Sequence, residues 1–179
     1  MKLWKSILVG FGAYIVLTFI TNLLTYVLAG LTAEYFALGF PTLILTLFTG
    51  VEGFAPVSVE LYDGLFRSLL YFPLGTTVGY LQGIGCLLRP IFPGLTAAIL
   101  AGKIGKTSSN GFFGMLITGI LVSAAPIIML FIDPLTTLAV VPTVIPFLAV
   151  PWLMAVIIGA YGLLIGAFWG GLAAFFGRE

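Results

Sequence analysis

Apolar residues run almost without interruption along the chain, and its few polar positions mark where the runs end. After Met1-Lys2-Leu3-Trp4-Lys5-Ser6, residues 7–31 form a run of about 25 mainly apolar positions. About 20 such residues cross the roughly 30 Å of bilayer hydrocarbon as a helix. A signal peptide has a shorter apolar core and an Ala-x-Ala cleavage site, which does not follow here. The run therefore reads as a first transmembrane helix entered from the cytoplasm. A second apolar stretch, 35–51, is short for a span, contains Pro41 and stops at Glu52. In residues 57–71, Glu60, Asp63 and Arg67 recur at i, i+3 and i+7, with Leu61, Leu65, Leu69 and Tyr62 turned away. That spacing predicts an amphipathic helix in the headgroup layer or leading into a span.

A third span is predicted over 68–88, with Pro73 near its start. Arg89-Pro90 reads as a tight break, because a charge and a proline both end helices. A fourth, short span follows over 90–104 and ends among Lys103 and Lys106. The linker Lys106-Thr107-Ser108-Ser109-Asn110 is the one clearly hydrophilic stretch. The fifth span is 111–132, stopped by Asp133-Pro134. Residues 135–148 carry Pro142 and Pro146 and are too short to cross and return, so they lie on or dip into the outer interface. The sixth span is 151–176, long enough to require tilt.

Basic residues orient the spans, because they favour the cytoplasmic side. Six spans with a cytoplasmic N-terminus put Lys2, Lys5, Arg67, Lys103, Lys106 and Arg178 inside and Arg89 outside. If 35–51 and 68–88 did not cross, four spans would remain and Arg67 would move outside. Six spans fit the rule better by one residue. Both arrangements leave both termini cytoplasmic. Trp4, Trp152 and Trp169 fall near the ends of spans one and six, where interfacial aromatics are expected. The predicted fold is thus all-α: one polytopic transmembrane bundle over residues 1–179, in the cell membrane, with six spans and four as the alternative.

Composition agrees with this and removes several functions. Hydrophobic residues are 61% of the chain and charged residues 7%, against about 45–50% and about 25% in soluble domains. So few charges cannot cover a soluble surface, and the lipid bilayer is the expected partner. The chain has no histidine, which excludes Ser-His-Asp catalysis, histidine proton relays and His-ligated metals. Its single cysteine, Cys86, cannot close an internal disulfide. A net charge of +1 provides no basic field for nucleic acid. No catalytic residue, metal site or cofactor is indicated.

Small-residue spacing is the main motif. Gly75, Gly79 and Gly83 form GxxxGxxxG in span three, and Gly162, Gly166 and Gly170 form another in span six. Gly94, Ala98 and Gly102 repeat the spacing in span four. A glycine at every fourth position leaves a flat groove that a neighbouring backbone can approach. Each such glycine zipper serves either packing within the chain or an interface with a second copy or another membrane subunit. The span-six stripe is the better candidate for a partner interface, since it ends the chain.

Polar candidates are few. Gly75, Gly79, Gln82, Cys86 and Arg89 share one helical stripe, with Gln82 at mid-depth and Arg89 near the outer end. Gln82 reads as interhelical hydrogen-bond glue or a solute ligand; Arg89 is expected to pair with Asp133 or Glu34. Thr18, Thr21, Asn22 and Thr25 make a polar patch in span one, with Asn22 either a satisfied helix contact or part of a solute site. Glu52, Glu60 and Asp63 cluster near the inner end of span three, where Arg67 offers Asp63 a plain salt bridge. No acid or base is placed at mid-bilayer, which counts against ion-coupled carriers and proton pumps.

Residues 90–125, with Pro-Ile-Phe-Pro-Gly-Leu-Thr-Ala-Ala-Ile-Leu-Ala-Gly-Lys-Ile-Gly-Lys followed by Asn-Gly-Phe-Phe-Gly-Met-Leu-Ile-Thr-Gly, resemble the glycine-rich two-helix hairpin of small archaeal membrane proteins of unknown function. That resemblance implies no activity and no catalytic residues. The size and predicted span count also resemble the substrate-binding subunits of energy-coupling-factor vitamin transporters. The expected function is a non-enzymatic structural or accessory subunit, packing through glycine-lined helices in a homo-oligomer or larger membrane complex. The alternative is a small-solute transporter or channel.

Overall fold

A computed structural model describes residues 2–29, 32–37, 77–132 and 150–178. These form α1 (Lys2–Ala29), the short α2 (Thr32–Ala37), α3 (Thr77–Gly105), α4 (Ser108–Ile132) and α5 (Pro151–Phe176). The long helices have 28, 29, 25 and 26 residues, or about 37–44 Å at 1.5 Å per residue. Stretches of α1, α4 and α5 are each long and apolar enough to cross a membrane, and α3 contributes the shorter apolar stretch Ile91–Gly105.

The described residues therefore allow at most four crossings, and six spans is corrected to that number. The reason lies in α3. The predicted break at Arg89-Pro90 falls inside one continuous helix, so the spans read over 68–88 and 90–104 are largely one element. Proline removes a single backbone donor, and transmembrane helices tolerate the gap when neighbouring groups re-satisfy it. Of the predicted second span, only 35–37 are described, as the end of α2. The remainder of that stretch, the amphipathic 57–71 segment, the start of the third span and the 135–148 segment lie outside the described residues.

Contacts fix the helix directions. The Ser6 hydroxyl near the start of α1 donates to the Ala101 carbonyl near the end of α3 at 2.8 Å, so α1 and α3 run antiparallel. Two residues separate α3 from α4, which folds them into an antiparallel hairpin. Gly111 near the start of α4 packs on Ala173 near the end of α5, and Gly119 packs on Gly162 and Gly166; these two helices are also antiparallel. The helices thus alternate up and down. The start of α1, the end of α3, the start of α4 and the end of α5 share one end of the bundle.

The α3–α4 hairpin is closed by local hydrogen bonds. Lys106 adopts the left-handed backbone conformation, with φ 58, and its N–H donates to the Gly102 carbonyl at 3.2 Å. This is the single-bond helix ending normally given to glycine. Thr107 then caps α4: its hydroxyl accepts from the Asn110 N–H at 3.2 Å and its carbonyl from the Gly111 N–H at 3.0 Å. The Asn110 side-chain amide closes back onto the Gly105 carbonyl at 3.1 Å.

Packing is inverted relative to a soluble bundle. The core is built of Tyr14, Ala97, Ala98, Ala101, Met115, Trp169 and Ala173, mostly small. Large side chains such as Leu8, Phe131, Leu164, Phe168 and Phe175 point outward. In lipid this costs nothing, because acyl chains solvate leucine and phenylalanine as well as another helix does. Small inward residues instead let the backbones approach closely.

Candidate functional site

The interior of the bundle holds the features that distinguish this chain from a plain apolar one. Gly162, Gly166 and Gly170 are buried against α4. A side-chain carbon at Gly166 would lie 2.8 Å from the Leu116 carbonyl oxygen, and one at Gly170 would lie 2.8 Å from that of Phe112. At Gly119 on the facing helix it would meet the Gly162 oxygen at 2.5 Å and the Gly166 Cα at 2.7 Å. The two backbones touch along three turns, so Cα–H groups lie against carbonyls. The stripe placed by sequence at the edge of the bundle faces inward, where it leaves no groove for a partner.

Gly94, Ala98 and Gly102 line the face of α3 that receives α5. Gly102 packs on the Ala173 carbonyl, and Gly94 receives the indole of Trp169. Trp169 is 7% exposed, whereas Trp4 and Trp152 are each 63% exposed. Only Trp4 and Trp152 have the exposure of an interfacial belt. Trp169 is a core residue, because α5 continues two turns beyond it. Gly79, Gln82, Gly83 and Arg89 fall in the first half of α3 as backbone, and Gly75 lies outside the described residues. Arg89 lies 16 residues before Gly105, about 24 Å along the helix, well inside it and not at an outer end.

A polar line on α1 passes unnoticed in sequence as a single feature. Ser6, Gly10, Tyr14, Thr18 and Asn22 follow at a constant step of four, and all five are buried. The signal was available: every fourth position of an otherwise apolar helix is small or polar, and Ser6-x-x-x-Gly10 is itself a small-residue pair. Its lower end is fully satisfied. Ser6 donates to Ala101 and packs on Gly114, and Gly10 sits against Met115, Thr118 and Ala101. Thr118 on α4 donates to the Gly114 carbonyl at 2.9 Å. Higher up, Thr21 donates to the Leu17 carbonyl at 2.8 Å and Asn22 is fully buried.

Thr18 Oγ1 and Trp169 Nε1 are buried and have no hydrogen-bond partner among the described residues. Thr18 stands one helical turn above Tyr14, which packs in the same cluster as Trp169. A hydroxyl on α1 and an indole N–H on α5 are thus left unsatisfied in the bundle interior. Pro126, buried within α4, frees one further backbone carbonyl, that of Val122. Among the described residues no three Cys, Asp or Glu side chains gather where they could hold a metal ion. Comparison with known proteins finds no family, no curated protein and no solved structure that matches the chain.

Proposed function

We propose that this integral membrane protein is non-enzymatic and admits a small, uncharged polar solute to the interior of its helical bundle. The observation that carries this reading is the pair of unpartnered buried groups, Thr18 Oγ1 and Trp169 Nε1. A hydroxyl or N–H removed from water without a partner costs about 1–3 kcal/mol on protein scales. A bundle evolved only to pack would fill these positions with apolar groups. A donor on α5 and a donor–acceptor on α1 suit an amide or polyol better than an ion. Five basic residues at one end of the bundle support a cytoplasmic location for that end, in the cell membrane.

The test is swelling of proteoliposomes in glycerol, urea and small amides. One of these solutes should enter faster than into empty liposomes. Thr18→Val should slow that entry while the melting temperature in detergent holds or rises. Permeability equal to that of empty liposomes for every solute would reject the reading.

The second reading is an accessory subunit that meets a partner or a second copy laterally. Its support is narrower: Gly12 and Gly171 face open space, with no atom within 4 Å, and notch the outer surfaces of α1 and α5. Crosslinking from cysteines at 12 and 171 in native membranes, in a Cys86→Ser background, would identify such contacts.

A further inference from the structure

We infer that the end of the bundle carrying the α3–α4 hairpin is a binding surface for the phosphate of anionic lipid headgroups. Of the seven Lys and Arg residues in the chain, five converge there from four chain segments. Lys2 and Lys5 begin α1, Lys103 is in the last turn of α3, Lys106 is the hairpin turn and Arg178 follows α5. All five are exposed, and no acidic residue is described at that end. Neighbouring packed helices stand about 8–10 Å apart, so the five charges fall within a disc about 20 Å across. That is comparable to two screening lengths at physiological salt, and the charges act on one another's ligands.

The surroundings fit a headgroup layer. Trp4, Phe113 and Phe175 are exposed beside these cations, giving aromatic bodies in the acyl region below a basic rim. Lys106 adds a separate argument. It holds a left-handed backbone position where glycine would be unstrained, yet a lysine is present and its side chain is exposed. A surface serving only to orient the helices during insertion does not need its charge at that strained position. Each basic residue at such a surface raises affinity for an anionic leaflet about fivefold. This proposal is independent of the solute reading.

The experiment uses the full chain in neutral detergent. It measures co-purified lipid by native mass spectrometry and the melting temperature on adding phosphatidylglycerol, phosphatidylcholine, glycerol phosphate or inorganic phosphate. Phosphatidylglycerol should be retained and raise the melting temperature, phosphatidylcholine and the soluble phosphates should not, and the preference should weaken with salt. Lys103→Gln with Lys106→Gln should lower phosphatidylglycerol retention about 25-fold from the per-residue factor. Lys103→Arg with Lys106→Arg should keep it. Both double variants lie at exposed positions, and their melts without added lipid confirm folding. Equal retention of the two lipids, indifference to charge neutralisation, or an equal response to soluble phosphate would each overturn the proposal.

Discussion

The indole of Trp169 occupies the space that a side chain at Gly94 would need: a carbon built there would lie 2.6 Å from Cζ2 and 2.7 Å from Nε1. The two residues are one interlocking unit joining α5 to α3. Gly94→Ala should therefore push the ring out of the core and destabilise the fold by about 1–3 kcal/mol, as overpacking does. Trp169→Ala should cost about 3–5 kcal/mol by leaving a cavity. Trp169→Ala combined with Gly94→Ala should be milder than the sum of the two single changes, because the added methyl enters vacated space. Thermal melts of the four proteins in one detergent measure the coupling; strict additivity would mean the pair does not interlock.

The α4–α5 crossing gives the second prediction. Gly166 lies against the backbone of Leu116, and backbone cannot rotate away as a side chain can. Gly166→Leu should lower the melting temperature strongly and leave any self-association of the surviving folded fraction unchanged. Gly171→Leu, at a position open to the outside, should leave the melt within about 0.5 kcal/mol of the parent. If Gly166→Leu instead melted like the parent and altered crosslinking, the stripe would face outward.

Three helices were legible because lipid imposes a simple rule on sequence. Residues 7–31, 111–132 and 151–176 predict α1, α4 and α5 closely, since an apolar run of sufficient length must hydrogen-bond its own backbone. What stayed illegible was direction. An apolar helix shows no amphipathic contrast, so spacing alone located the glycine stripe of α5 without saying which way it faced. Trp169 was misplaced for the same reason: a tryptophan near a span end fits the interface until Gly94 is seen to make room for it. The Arg89-Pro90 pair misled because rules for soluble helices treat it as a terminus. The polar line on α1 was half visible, as Thr18 and Asn22, but its continuation through Ser6, Gly10 and Tyr14 needed the α3 and α4 contacts to become a surface.

Continuity of α3 makes Arg89 a test of topology. A break at Arg89-Pro90 would leave this residue at the outer surface, whereas one helix from Thr77 to Gly105 carries it about 24 Å from the hairpin end. A spin label at Arg89→Cys, in a Cys86→Ser background, should be less accessible to a water-soluble relaxant than labels at Lys103→Cys and Lys106→Cys. Equal accessibility at 89 and 106 would restore two short spans in place of α3.

Lys106 supplies the last prediction, because it separates strain from charge. At φ 58 a β-carbon crowds the backbone at a cost of roughly 1–2 kcal/mol, which glycine avoids. Its N–H still closes the end of α3 on the Gly102 carbonyl, so the conformation is enforced by the hairpin. Lys106→Gly should therefore raise stability in neutral detergent by about 1 kcal/mol, reduced by some tenths for the extra freedom glycine gains in the unfolded chain. Lys106→Ala removes the same charge but keeps the β-carbon, so it should show no such gain. Chemical denaturation of the three proteins side by side measures the difference. If alanine stabilised as much as glycine, relief of repulsion among the neighbouring cations, and not backbone strain, would be the cause, and the left-handed turn would carry no stored cost.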